Sequence, residues 1–521
     1  MGGARDDGRV LLAEVAATSA AVAATPARNA KRSLLVAALR TAADEGVVGL
    51  VARYLGGELR QRRTGLGWRS MASLPEPAEA PSLTVADVDA AFEQMAGLSG
   101  PGSAAGRERA AAALFGAATA EEQRFLRGLV TGEVRQGALD ALILDAVAEA
   151  SGQPPELVRR AAMLAGDTAV VAIAALGSDE PAAALASIGL TVGRPVRPML
   201  ASSAPDVAAA FAALGVVQGA PAVVDVKLDG IRIQVHRDGD EVRVFTRSLD
   251  DITARVPEIV AIAGAMPAGR FVLDGEALAL DPAGRARPFQ ETSSRAMTRD
   301  ADLAGSATLT PFFFDVLHLD GHDLLDAPLT ERLVVLDRLA GDRAVDRLVT
   351  SDAAEAQEQF AAWVAAGQEG VIVKAADATY AAGRRGAAWV KVKPRHTLDL
   401  VVLAVERGSG RRQGLLSNIH LGARDPAGGF VMLGKTFKGM TDEMLAWQTK
   451  RFRELEVSDD GWVVTLRPEQ VVEIAFDGVQ RSTRYPGGVA LRFARVLRYR
   501  DDKPAAEADT LEMVQSLSPQ P

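Results

Sequence analysis

From about residue 8 to 190, apolar positions recur at spacings of three and four, as in EEQRFLRGLVTGEVRQGALDALILDAVAEASG, Glu121 to Gly152. That is the period of amphipathic helices, and the pattern predicts an all-α domain over residues 1–190. Gly- and Pro-rich runs such as PEPAEAPS (Pro75 to Ser82) and GLSGPGSAAG (Gly97 to Gly106) divide the helices. TVGRPVRPMLA, Thr191 to Ala201, reads as an extended linker, and beyond it the period changes to two. IRIQVHRDGDEVRVFTR alternates on either side of Asp238-Gly239, a hairpin signal. FVLDGEALAL, PFFFDVLHLDG and EGVIVK are further strand-like runs, with helical segments at Thr330 to Ala340 and Ala353 to Ala366 between them. Residues 191–396 therefore read as a mixed α/β domain.

After Pro394 the runs LDLVVLAVERG, SNIHLGARD, GFVMLGKTF, VVEIAFDGV and LRFARVLRYR predict about five short strands, with one helix at MTDEMLAWQTKRFREL. That combination suits an OB-fold β-barrel over residues 397–505. Residues 506–521 read as a flexible acidic tail. The whole is a multidomain α+β chain.

Composition narrows the chemistry. A chain of 521 residues is too long for one core, and a prior of about 100 to 200 residues per domain fits the division above. Hydrophobic residues at 48% and charged ones at 24% are ordinary for a globular protein, so disorder is not the theme. With no cysteine, disulfides, thiolate nucleophiles and Cys-ligated zinc are excluded, and the five histidines form no HExxH pattern. Any metal would be held by carboxylates, phosphates and water, which favours magnesium or manganese. The Ala-rich start is interrupted by Arg and Lys and has neither signal-peptide nor membrane-span form, so the expectation is a cytoplasmic protein with no membrane association. The net charge of -9 hides local basic clusters: Glu58 to Arg69, Gly383 to His396 and Arg492 to Lys503.

Within VDVKLDGIRIQV, Val224 to Val235, one lysine, Lys227, interrupts a strand pattern and is followed by Asp229, Gly230 and Arg232. Free lysine has a pKa of about 10.4, so at neutral pH only roughly one side chain in a thousand offers a lone pair. A nucleophilic lysine needs desolvation or neighbouring cations. From this stretch alone, a surface lysine at a strand end is an equal reading.

The rest of the chain changes that balance. KLDGIR resembles the nucleotidyltransferase motif KxDGxR, and TRSLDDIT, FVLDGEALA, PFFFDVLHLDG, EGVIVK, WVKVK and RFARVLRYRDDK follow in the order of the ATP-dependent DNA ligase family. The resemblance covers most of residues 8–505 and implies an ATP-grasp-like adenylation domain between the helical and OB-fold domains. Lys227 would attack the α-phosphate of ATP to give a lysine-AMP phosphoramidate and pyrophosphate. Asp225 matches an acidic position that reads the adenine amino group, where this family more often has Glu. Arg232 and Arg247 would grip ribose and phosphate, and Phe314 would stack on adenine. Glu276 and Glu369 would hold Mg2+ or Mn2+, with Glu276 also near the nucleotide. Lys391 and Lys393, two apart on one strand face, would reach the α-phosphate, and Arg385 would approach the nucleotide from its loop. Arg492, Arg495, Arg498 and Lys503 would orient pyrophosphate.

Rival readings have identifiable weaknesses. GFVMLGKT, Gly429 to Thr436, fits the P-loop pattern, but its Phe-Val-Met-Leu interior reads as a strand and no helix starts at the lysine. NAD-dependent ligases resemble the chain at KxDG yet carry a cysteine-ligated zinc module. Capping guanylyltransferases usually lack so long a helical domain in front, while an RNA ligase fits the lysine chemistry equally well. FLRGLVTGEVRQG (Phe125 to Gly137) and LVRRAAMLAGD (Leu157 to Asp167) resemble the ligase DNA-binding domain. The resemblance thus implies a monomer that seals nicked double-stranded DNA with ATP.

Overall fold

The computed structural model describes residues 10–517 except 45, 62–63, 72, 135–138, 217–220, 282–283, 288, 298–307, 382–384 and 395. The chain divides into two compact units and passes between them repeatedly. One comprises Met1–Ser202, Gly230–Val345 and Ala375–Trp389; the other comprises Ser203–Asp229, Asp346–Lys374 and Val390–Pro521. In chain order the strands up to residue 392 are β1 (Leu200–Ser203), β2 (Ala222–Val226), β3 (Ile231–Asp238), β4 (Glu241–Thr246), β5 (Arg270–Ala279), β6 (Leu309–Leu319), β7 (His322–Asp323), β8 (Arg347–Thr350), β9 (Val371–Ala375) and β10 (Arg385–Val392). The later ones are β11 (His396–Arg407), β12 (Leu416–Arg424), β13 (Phe430–Thr436), β14 (Glu456–Asp459), β15 (Val463–Leu466), β16 (Val471–Phe476), β17 (Gly478–Arg481), β18 (Val489–Arg492) and β19 (Arg495–Arg500).

The first unit begins with the expected run of helices, from Leu12–Ala24 to Pro181–Ala186. Their local signals are explicit. Helix Ala120–Thr131 opens on a Thr119/Glu122 capping box and closes at Gly132 in the left-handed region, φ 68°. It buries Phe125, Leu126 and Leu129 while Arg124 and Arg127 stay exposed. The same unit contains an antiparallel sheet of order β4–β3–β5–β6–β7, with the hairpin at Asp238-Gly239 as the sequence predicts. Asp315 and Arg332, both fully buried, form a two-point ion pair at 2.7 and 2.9 Å that ties β6 to helix Leu329–Ala340.

The linker after the helical region is extended and fastened. The Gly193 N–H donates to His236 Nδ1 at 3.0 Å, Val196 exchanges two hydrogen bonds with the Gln234 amide, and the Arg197 N–H donates to the Met163 carbonyl at 2.9 Å. Gln234 and His236 lie on one face of β3 and are buried, so these backbone groups are their partners in place of water.

In the second unit β8, β2, β9 and the Val390–Val392 end of β10 lie in that order, over a core of Val224, Val371, Val373, Val390 and Val392. Helices Val207–Ala213 and Ala353–Ala365 contribute Val207, Phe211 and Ala356 to that core. Its C-terminal part is a sheet of order β13–β12–β11–β15–β14, in which β16 also pairs with β11 and β19 with β16; β17 and β18 form a separate pair. β11 reaches its several partners through register shifts, one between Val402 and Ala404. GFVMLGKT is strand β13, and the helix after it, Asp442–Glu454, is capped by Thr441.

Two expectations are corrected here. The C-terminal part has more than five strands: the hairpin β14–β15 was not foreseen, because Val457, Ser458 and Asp459 are exposed and leave no alternating apolar face to read. Residues 506–517 are not a flexible tail. Helix Leu511–Ser516 buries Val514, Ala508 packs with Val401 and Val471, and the Asp509 carboxylate accepts from the Asp399 N–H at 2.8 Å. Two apolar contacts and one charged acceptor are enough to hold the segment despite its acidic composition. No helix among the described residues is long and apolar enough to cross a membrane.

The linker contact carries a pH dependence. Burial, helped by the charges of His318 and Arg243, pushes the His236 pKa from 6.5 down to about 3. The folded state then binds fewer protons than the unfolded one between those values, so stability present above pH 6.5 falls as the pH drops toward 3. In His236→Gln the free energy of unfolding from urea titration should fall less between pH 7 and 4.5, by up to about 1.4 kcal/mol per pH unit. Parallel acid slopes for the two proteins would contradict this.

Candidate active site

Lys227 lies just past the end of β2, where the strand hydrogen bonding stops and the chain turns toward β3. Its N–H donates to the Gly370 carbonyl at 2.9 Å, which places the lysine beside the start of β9. Gly370 has φ 145°, and a Cβ there would lie 2.2 Å from the Val392 carbonyl oxygen. Only glycine permits this approach, and the approach brings Glu369 against the end of β10. The Glu369 carboxylate consequently bridges two ammonium groups, Lys227 on Oε2 and Lys393 on Oε1. Lys227 also donates to the Leu228 carbonyl at 3.1 Å. Lys393 reaches on to Asp477 Oδ2 at 3.2 Å. Burial alone would lower the Lys393 pKa, but Glu369 and Asp477 outweigh it and hold it above the ordinary lysine value.

Asp225 lies on β2, two residues before Lys227. It is buried, with Oδ2 2.5 Å from Lys374 Nζ and Oδ1 3.9 Å from Arg347 Nε, its register partner on β8. The carboxylate is thus committed to an internal ion pair. Lys374, the last residue of EGVIVK, was not singled out from the sequence; a lysine closing an apolar run is a signal only when its burial is known.

In the first unit, Arg232, Glu276 and Phe314 come together. Arg232 and Glu276 are opposite each other on β3 and β5. Gly230 makes that pairing close, since a Cβ there would lie 2.3 Å from the Ala277 carbonyl oxygen. The Arg232 guanidinium is gripped by Asp274 at 3.1 and 2.7 Å and donates to the Met199 carbonyl at 2.6 Å. It lies 5.3 Å from the Phe314 ring centroid and 5.8 Å from that of Trp389. Burial works against its charge, yet Asp274 and Tyr380 outweigh that and raise its pKa above the ordinary arginine value. The Tyr380 hydroxyl donates to Asp274 Oδ2 at 2.7 Å and accepts from the Met199 N–H at 3.1 Å. Burial, then Asp274, keeps that phenol protonated by pushing its pKa well above 10. Phe314 meets Trp389 edge to face at 5.8 Å.

Sequence reasoning missed Asp274, Tyr380 and Trp389 as members of this cluster. Asp274 carried a readable signal, an acid in an apolar strand, where burial demands a partner. Arg247 is exposed on the turn after β4, and Lys391 is half-buried on β10. The Arg385 side chain lies outside the described residues. The last basic motif divides in two: Arg492 pairs with Asp229 at 3.0 Å and Arg495 sits 3.7 Å from Asp477, whereas Arg498 and Lys503 pair with Glu473 and Asp399.

The Asp225–Lys374 pair predicts a non-additive stability pattern. Lys374→Met should cost about 3 to 5 kcal/mol by stranding a buried carboxylate, and adding Asp225→Asn should restore most of it. Urea unfolding of the two single variants and the double one measures this; additive losses would mean that the two groups do not act as a pair.

Comparison with known proteins identifies the family. The family described as ATP dependent DNA ligase domain matches residues 198–393, its C terminal region 412–503, and the DNA ligase N terminus 69–148. A probable DNA ligase of Beutenbergia cavernae is 72% identical over 514 residues, covering 98% of this chain and 100% of that one. One from Nocardioides sp. is 62% identical over 518 residues, covering 98% and 99%. The solved structure named Pmar-Lig_PreS3 covers 93% of this chain and 99% of its own at TM-score 0.60 and 18% identity, a likeness of fold. With matches of this length and identity, carried by the segments that hold Lys227, Glu276, Glu369 and Lys393, the chain belongs to the ATP-dependent DNA ligase family.

Proposed function

We propose that Lys227 is the residue through which this DNA ligase takes AMP from ATP and passes it to a nick. The family uses ATP to join DNA through a lysine-AMP intermediate. The observation that carries the assignment is the cluster of two lysines on one carboxylate: Lys227 at a strand end, Glu369 beside it, and Lys393 on the far oxygen. A second cation so close to Lys227 attracts the phosphate that the lysine would attack. In the first step the Lys227 nitrogen bonds to the α-phosphorus and pyrophosphate leaves. In the second, the 5′-phosphate oxygen of the nick takes the AMP and the P–N bond breaks. In the third, the 3′-hydroxyl attacks that phosphate and AMP departs. Each is an in-line displacement in which positioning and electrostatics dominate.

Arg232 is suited to ribose and phosphate because Asp274, Tyr380 and the Met199 backbone hold its guanidinium at a fixed angle. Phe314 offers an apolar ring beside it for the base, with Glu276 on the strand opposite. Arg247, Arg385, Lys391 and Asp225 complete the proposed nucleotide-binding set. A divalent ion seated on Glu369 would have to displace Lys227 or Lys393 from that carboxylate, and no cluster of three or more acidic or His groups that could hold a metal exists among the described residues.

We read residues 1–190 as the DNA-binding domain, 191–396 as the adenylation domain and 397–505 as an OB-fold, acting as a monomer in the cytoplasm. The OB-fold reading rests on β11 as the shared strand and on two hydrogen bonds that bring the end of β13 to the start of β19: Thr436 Oγ1 to the Ala494 carbonyl at 2.6 Å and the Val496 N–H to the Lys438 carbonyl at 2.9 Å. Because Arg492 serves the lysine segment and DNA must later reach the same cluster, the C-terminal domain rotates about the segment after Lys393 between steps.

Lys227→Ala should take up no labelled AMP from ATP while retaining some sealing of a pre-adenylated nicked duplex. Uptake of label by this variant would remove Lys227 from the role. Parallel assays with GTP, NAD and nicked RNA should give little or no product.

A further inference from the structure

Asp477 stands between β16 and β17, and its N–H donates to the Arg492 carbonyl, at the end of β18, at 3.0 Å. One backbone hydrogen bond thus sets an acid and a base side by side on the C-terminal domain. They meet a base and an acid of the adenylation part in a crossed arrangement. Asp477 Oδ2 is 3.2 Å from Lys393 Nζ, and the Arg492 guanidinium is 3.0 Å from Asp229 Oδ2. Side-chain exposures of 19% and 22% for the first pair and 29% and 34% for the second place both pairs partly out of water. Arg495, 3.7 Å from the other Asp477 oxygen, steadies the acid from its own domain. Arg498 and Lys503 face Glu473 and Asp399 within the same sheet and take no part.

We propose that Asp477 is a positioning residue for self-adenylation: from the docked C-terminal domain it holds the Lys393 ammonium beside Glu369 and Lys227, so the lysine cluster is complete only in that docked pose. This rests on the assignment of Lys227 as nucleophile and goes beyond it by naming the residue that couples domain docking to the first step.

The crossed pattern explains why the docking is both specific and reversible. A shift that set Asp477 against Asp229, or Arg492 against Lys393, would oppose like charges, so one register is favoured. Each pair keeps some access to water and is individually weak, so the domain can leave once AMP is on the lysine. Asp477 touches no reacting atom in this arrangement; it acts through Lys393. Once a nick already carries AMP, Lys227 has no bond to make, and the contact loses its purpose.

The test uses the full chain with Asp477→Asn and Asp477→Glu, each assayed for single-turnover uptake of labelled AMP from ATP and for sealing of a pre-adenylated nicked duplex. In Asp477→Asn uptake should slow about tenfold, the scale of one partly buried charge pair, while sealing stays within about twofold of wild type. Asp477→Glu keeps the charge and should recover most of the uptake. Unchanged uptake in Asp477→Asn overturns the proposal, as does an equal loss in both assays, which would mark Asp477 as merely structural. Label uptake by Lys227→Ala would instead remove the nucleophile assignment, so the two failures are told apart.

Discussion

A single carboxylate shared by two lysines is the constraint around which the second unit is organised. Glu369 accepts only, and it sits just before the start of β9, beside the ends of β2 and β10; Lys227 and Lys393 donate only, and neither could approach the other without it. The backbone is shaped to allow this. Gly370 omits the side chain that would strike the Val392 carbonyl, and that omission puts Glu369 within reach of both strands. Asp225 and Lys374 lie beneath as an independent buried pair on the adjoining strands β2 and β9. Charges alternate through the region, so each ionised group has a partner and the desolvation that burial imposes is offset locally.

The first unit meets the same demand with one cation in place of two. Arg232 is surrounded by Asp274, Tyr380, Phe314 and Trp389, and the Met199 backbone closes the ring by accepting from Arg232 and donating to Tyr380. Because Met199 ends the linker pinned at Gly193 and Val196 to β3, the path from the helical region is built into the arginine's surroundings. A guanidinium held at several points loses little freedom when a ligand engages it, which is the physical content of preorganisation.

The C-terminal domain offers charges in a fixed order instead of a cavity. β11 pairs with β12, β15 and β16, and its register shifts let one strand serve these partners. The surrounding strands carry the basic motif, but acids within the sheet claim half of it, leaving Arg492 and Arg495 for the lysine region. A run of like charges in sequence is thereby sorted into distinct jobs by whichever acid each side chain meets.

Much of this was legible from the chain itself. The change from a period near 3.6 to a period of two after the linker located the helical and sheet regions, because that periodicity follows directly from which face is buried. The resemblance of the segments around Lys227, Glu276, Glu369 and Lys393 to the ligase motifs marked the chemistry. What a linear pattern cannot carry is which partner each charge finds. That Asp225 turns to Lys374, that Arg232 is held by Asp274 and Tyr380, that the last segment folds back through Val514, and that Asp477 meets Lys393 were decided by contacts between residues far apart in sequence. Local pattern specifies how a segment buries its face; only the packed fold decides which charges share the space that burial creates.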